Sequence, residues 1–140
     1  MQPYAPEIVS IAETCLGGLQ GRSALLIGHE EQCQSYMLLL HQAGMKYIYQ
    51  EETYYQVAAI LPRVQLLMNL PAPSTSLQTI PLLTASAIAR GCIGRRTPLL
   101  IFDLAESPSI EELAGLLPTV CLYTPEDLRQ ILSRSRVQVS

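Results

Sequence analysis

The sequence predicts an α/β fold in which a five-stranded parallel sheet carries helices on both faces. Three observations point to it. Ser23 to Cys33 runs from a short apolar stretch through Gly28 into the opening of a helix, the layout of strand, turn and helix in a nucleotide-binding βαβ unit. Downstream, short apolar or β-branched runs alternate with stretches of helical periodicity, the pattern of a parallel sheet with crossover helices. The runs themselves, Ala24 to Ile27 and Pro98 to Asp103 above all, are unbroken rather than alternating, as suits strands covered on both sides. Together these features predict a Rossmann-like three-layer αβα sandwich with strand order 3-2-1-4-5 and right-handed crossovers.

Each element has a local reason. Ala5 to Leu16 places Ile8, Ile11, Ala12 and Cys15 on a helical stripe, and Gly17-Gly18 ends it. After the first strand a helix is expected from Glu30 to Gln42, with Cys33, Tyr36, Met37 and Leu40 toward the sheet and Gly44 as its closing glycine. Lys46 to Gln50 is aromatic and β-branched, a second strand. Thr53 is placed to cap a helix to Leu61, which stops before Pro62, and Val64 to Asn69 reads as the third strand. Leu70 to Ser76 is too rich in proline for regular structure and reads as an exposed loop. A helix from Leu82 to Arg90 ends at Gly91, and Pro98 to Asp103 is the fourth strand. Ser109 to Leu116 reads as helix, with Ser109 and Glu112 at capping-box spacing. Val120 to Tyr123 is the fifth strand, and Thr124-Pro125-Glu126-Asp127 opens the last helix with Thr at the cap, Pro at the first position and acids in the first turn.

The 140 residues suit one domain, 1–140, with a leading helix in 1–20 and a flexible tail in 134–140. A hydrophobic fraction of 49 % with 15 % charged residues gives a large interior and excludes a disordered chain. The net charge of −3 offers no general attraction to nucleic acid or to an anionic membrane. Arg90, Arg95 and Arg96, and Arg129, Arg134 and Arg136, read as solvated helix ends and tail. No signal-peptide pattern opens the chain and no apolar run reaches the ~20 residues that span a bilayer, so a cytoplasmic location is expected. There the four scattered cysteines are expected reduced and packed as small hydrophobes.

Several stretches taken together resemble the NADPH-binding domain of glutamyl-tRNA reductase. They are Gln20 to Gly28, the helix up to Gly44, Thr53, Pro98 to Ala105 and Val120 to Leu128, with Leu-Ile-Phe-Asp-Leu-Ala at 100–105 and Leu-Tyr-Thr-Pro-Glu-Asp-Leu at 122–128 the most specific. The likeness runs from Glu7 to Leu132. It implies tetrapyrrole metabolism as the setting. It also implies a cofactor domain that in the family sits between a catalytic domain carrying a nucleophilic cysteine and a helical dimerisation domain. Neither flanking domain is matched, so reductase activity of this chain alone is not expected.

The candidate cofactor residues are Gly28, His29, Glu30, Glu51, Glu52 and Leu70. A dinucleotide turn uses three glycines so that backbone can approach the pyrophosphate. Here the first is Gly28, but Glu30 and Cys33 occupy the other two positions, and Glu30 brings a negative charge toward the diphosphate. The resemblance aligns Glu51 and Glu52 with an Asn-Arg pair whose arginine receives the 2′-phosphate of NADPH, so NADPH is disfavoured more than NAD. An acid about 20 residues past the turn is itself an NAD-type signal for the ribose. The resemblance further aligns Leu70-Pro71-Ala72-Pro73 with small polar residues near the nicotinamide, and Ser107-Pro108-Ser109 with a Pro-Arg-Asp. The expected function is a non-catalytic binding or regulatory module with a degenerate dinucleotide site, binding NAD or NADP weakly or not at all. Its expected partner is another protein or a second copy, and neither nucleic acid nor membrane. The alternative is a functional NAD(P)-binding domain serving an oxidoreductase. No catalytic residue is assigned. His29 and Cys33 mimic a zinc helix but lack a third ligand, so no metal site is assigned either. Glu30, Glu31, Glu51 and Glu52 form a candidate acidic patch for a basic partner, and Tyr54-Tyr55 a partly exposed pair suited to an interface.

Overall fold

A computed structural model describes residues 4–70, 83–106 and 108–139, with the side chains of 135–139 excepted. Most of the proline-rich loop after Leu70, the expected helix start at Leu82 and Ser107 lie outside the described residues. Five strands, β1 (Ser23–Ile27), β2 (Tyr47–Glu51), β3 (Leu66–Asn69), β4 (Leu99–Asp103) and β5 (Val120–Tyr123), form one sheet, every pair parallel. The helices are α1 (Ala5–Leu16), α2 (Glu30–Gln42), α3 (Val57–Ile60), α4 (Ala85–Gly91) and α5 (Pro125–Val139). The α/β fold class expected from the sequence is the one observed.

The strand order differs from the expected 3-2-1-4-5. It is β2-β1-β3-β4-β5, so β3 lies between β1 and β4 and β2 is the edge. Burial explains the exchange. All four residues of β3 are buried, whereas β2 is partly or wholly exposed along its length. The unbroken Leu-Leu-Met of β3 needs cover on both faces, while the hydroxyls, amide and carboxylate of Tyr-Ile-Tyr-Gln-Glu are tolerated at a margin.

Strand alternation sorts the core into two layers. Ala24, Leu26, Leu66, Met68, Leu100 and Phe102 pack against Ile8, Val9, Ala12, Tyr36, Leu40 and Leu128 of α1, α2 and α5. Leu25, Ile27, Leu67, Leu99 and Ile101 pack on the other face against Val57, Leu61, Ile88 and Ala114. On this second face α4 approaches α3 so closely that a Cβ on Gly91 would lie 2.7 Å from a Leu61 methyl.

Three local expectations are corrected. The helix expected from Thr53 shrinks to α3 and a 3₁₀ turn at Leu61–Arg63, and the Thr53 hydroxyl accepts the Tyr55 N–H within a turn that no helix continues. The helix expected from Ser109 is a 3₁₀ segment, Glu112–Leu116, and Ser109 itself lies before it with its N–H donated to Asp103. Arg95 is not a solvated charge. Its guanidinium donates to the carbonyls of Leu61, Val64, Thr97 and Pro98, tying the entry of β3 to that of β4.

Other boundaries follow the caps. Thr84 receives the Ala87 N–H at 3.1 Å and caps α4, which starts at Ala85. Leu83 instead forms a parallel bridge with Ile110. Thr124 and Asp127 exchange backbone-to-side-chain bonds at 3.0 and 3.1 Å, a reciprocal cap that launches α5, which continues past residue 134 to Val139. Of the cysteines only Cys33 is fully buried; Cys15 and Cys121 are exposed, because the end of α1 and the edge strand β5 lie at the margin of the core. Among the described residues no helix is long and apolar enough to cross a membrane.

Candidate functional site

In a parallel sheet the carboxyl ends of all strands share one edge, and ligands favour the point where the chain leaves neighbouring strands in opposite directions. Here that point lies between β1, whose partner in sequence is β2, and β3, which leads to β4. The register sets Ile27 beside both Glu51 and Asn69, and Asn69 beside Asp103. The turn after β1, residues 28–30, and Leu70 after β3 therefore flank the switch point.

All six sequence-derived candidates lie along this edge. The Gly28 N–H donates to the Glu51 carbonyl at 2.9 Å, and the Gly28 carbonyl accepts from Gln50 Nε2 at 2.8 Å, which fastens the turn to β2. Leu70 is buried against the other side. A Cβ built on Gly28, whose φ is 158°, would stand 3.1 Å from the Leu70 Cβ, so the close approach of the end of β3 leaves room only for a glycine there. His29 is the cap residue of α2 and makes no side-chain capping bond. Its Nδ1 lies 2.9 Å from Glu52 Oε1, both side chains being more than half exposed. Glu30 and Glu31 occupy the exposed first turn of α2, where their charge opposes the positive end of the helix dipole.

The zinc-like spacing brings no ligand pair together. His29 is extended and engaged with Glu52, while Cys33 is fully buried. Burial, and then the Glu52 carboxylate, push the Cys33 thiol up to about 11, so it is neither thiolate nor nucleophile at neutral pH. No group of three or more His, Cys, Asp or Glu able to hold a metal occurs among the described residues. The tyrosine pair divides. Tyr55 is 91 % exposed, whereas Tyr54 packs on the core and its hydroxyl donates to Asn69 Oδ1 at 3.1 Å.

That last bond leads to a network the sequence reading missed. Asn69 Nδ2 donates to Asp103 Oδ1 at 3.3 Å. The same carboxylate accepts the N–H groups of Ala105 at 3.2 Å, Ser109 at 2.8 Å and Ile110 at 3.2 Å. Asn69 and Asp103 are buried and end adjacent strands. Burial at Tyr54 raises its hydroxyl above the ordinary tyrosine range, leaving it a neutral donor. The available signal was a polar residue closing two apolar runs, Leu-Leu-Met-Asn and Leu-Leu-Ile-Phe-Asp.

No protein-family model matches the sequence. Glutamyl-tRNA reductase from Alkalilimnicola ehrlichii is 28 % identical over 142 residues, 91 % of this chain and 32 % of that protein. The enzyme of the same name from Pseudomonas syringae pv. tomato is 28 % identical over 141 residues, 91 % of this chain and 33 % of its own length. Among solved structures, glutamyl-tRNA reductase from Methanopyrus kandleri superposes with a TM-score of 0.72 over 96 % of this chain and 38 % of its own, at 20 % identity, a shared fold. The chain spans about a third of the length of the curated relatives it matches. It thus resembles glutamyl-tRNA reductase, in sequence and in fold, along nearly the whole of its own length.

Proposed function

We propose that the chain is a non-catalytic Rossmann-like binding or regulatory module, working in the cytoplasm in the setting of tetrapyrrole metabolism, whose dinucleotide site has been closed. One observation carries this reading. Leu70 packs against the Gly28 turn beside the switch point, and Glu30, Glu31, Glu51 and Glu52 stand on the turn and strand end next to it, with His29 already paired to Glu52. A carboxylate and a phosphate charge ~4 Å apart repel by about 4 kcal/mol at a near-surface dielectric, roughly three decades of affinity. By the resemblance, Glu30 stands for one glycine that a diphosphate requires and Glu51-Glu52 for the Asn-Arg pair that receives a 2′-phosphate, so the edge suits a protein surface better than a nucleotide.

A second reading is favoured by Glu51. It ends β2 partly buried and directly beside Ile27, the place from which an acid reaches the adenosine ribose in NAD-type domains. Under that reading the chain is an NAD-binding domain serving an oxidoreductase. Calorimetric titration with NADPH, NADH and their oxidised forms at low salt separates the two. No heat up to millimolar ligand supports the closed site, and micromolar binding of NADH in preference to NADPH would establish the second reading.

A further inference from the structure

Two cysteines and a tyrosine meet at the margin of the sheet opposite β2. Cys15 lies in the last turn of α1, and Cys121 and Tyr123 lie on the outer strand β5. Side chains two apart on a strand point the same way, so Cys121 shares with Tyr123 the face on which α1 packs. The Tyr123 ring stands edge-on to Phe102 with centroids 5.4 Å apart, which fixes the direction of its hydroxyl. That hydroxyl lies 3.4 Å from Cys15 Sγ and also hydrogen-bonds the Cys121 thiol. Both cysteines are exposed, unlike Cys33 and Cys92.

The placement decides what the pair can do. Two sulfurs that share one hydroxyl oxygen lie at most roughly 7 Å apart, and a rotamer change at each moves its sulfur by about 3 Å. The gap is therefore closed by side-chain rotation alone. Among the described residues no third His, Cys, Asp or Glu joins them to hold a metal. Burial, and then a charge on Cys15, push the Cys121 thiol up, so a thiolate at Cys15 leaves its neighbour protonated. The bond to Cys15, and then burial, hold the Tyr123 hydroxyl well above the ordinary tyrosine range, so it remains a donor to that thiolate.

We propose that Cys15 and Cys121 are an oxidation site for peroxides, closing to an intramolecular disulfide that staples the end of α1 to β5. The Cys15 thiolate attacks one peroxide oxygen, forming an S–O bond and breaking the O–O bond, and the other oxygen leaves as water or an alcohol after taking a proton. The Cys121 sulfur then attacks the sulfenic sulfur. The S–S bond forms, the S–O bond breaks, and the hydroxyl leaves as water with the Cys121 proton. The two sulfurs together lose two electrons and the peroxide gains them. In a reducing compartment such a bond is a transient signal, reopened by a dithiol. This site stands apart from the Gly28 turn and holds whether or not a dinucleotide binds there.

The experiment treats the folded wild type with a small excess of hydrogen peroxide, blocks the remaining thiols with a maleimide and reads intact mass and a peptide map, alongside Cys15→Ser and Cys121→Ser. The expected result is a monomer in which two of the four thiols are lost to a single Cys15–Cys121 cross-link, reversed by a dithiol and absent from both variants. Because the cross-link joins segments more than a hundred residues apart, the oxidised wild type should melt at least about 5 °C above the reduced protein by circular dichroism. Four results would overturn the proposal: four free thiols after peroxide, a cross-link through Cys33 or Cys92, a cross-link between two chains, or an oxidised protein that melts no higher than the reduced one. The map of the wild type decides the matter even for a variant that folds poorly.

Discussion

The carboxyl edge of the sheet has two unlike halves. Over β3 and β4, Tyr54, Asn69 and Asp103 form a chain of hydrogen bonds in which both oxygens of the buried carboxylate and both polar atoms of the buried amide have a partner. Over β1 and β2, His29, Glu30 and Glu52 are exposed, and the contact between His29 and Glu52 stands in water. Both halves are polar, but only the first is part of what holds the molecule together. Polar residues at the ends of parallel strands are therefore no guide to a site by themselves. Their burial and their partners decide whether they serve the fold or a ligand.

The sharpest way to break this contrast is to remove Asp103. Asp103→Ala strands three backbone N–H groups and the Asn69 amide in the interior, and is expected to cost about 4 kcal/mol, read as a drop in the urea midpoint at unchanged m-value. A loss under about 1 kcal/mol would mean that water satisfies those groups and that the sealed half is not sealed. Leu70→Ala comes next. It should destabilise by about 2.5 kcal/mol, because a nearly buried side chain is truncated while Gly28 beneath it cannot follow. Tyr54→Phe removes a single donor to Asn69 and should cost about 1 kcal/mol in the same assay.

On the open half the effects should be small. Glu52→Gln breaks an exposed pair with His29, and a change of under about 0.5 kcal/mol is expected at neutral pH. A loss as large as that at Asp103 would erase the distinction between the halves. The pH dependence sharpens it further. The folded state holds the Cys33 proton up to about 11 against an ordinary 9.0, so between those values the native state binds more protons than the unfolded chain. Stability due to Cys33 is thus intact below pH 9 and lost as pH rises toward 11. Thermal melting across that window should fall more steeply for wild type than for Cys33→Ala.

Much of the layout was legible in the sequence. The limits of α1 and α2 and of β5 follow from Gly17, Gly44 and the Thr-Pro-Glu-Asp cap, because each is a local signal with a local outcome. The strand order was not legible from the βαβ pattern alone. It depends on how completely each strand is covered, and β3 and β2 differ in that by side chains that a periodicity search scores alike.

Of the site, the six candidate positions were reachable because they bracket the ends of β1, β2 and β3. The contact of Leu70 with Gly28 was not, since it joins two strands that the expected order kept apart. The pairing of His29 with Glu52 was likewise invisible, because it depends on how two loops leave the sheet.

The claim that matters most is that this switch point is closed to dinucleotides by Leu70 and the carboxylates around it. The direct measurement is an amide-resolved NMR titration with NADH and NADPH to millimolar concentration, following Gly28, Glu30, Glu51 and Leu70. Resonances that stay in place at these four positions are the predicted result. Saturable shifts confined to them would contradict the account and identify a working cofactor site.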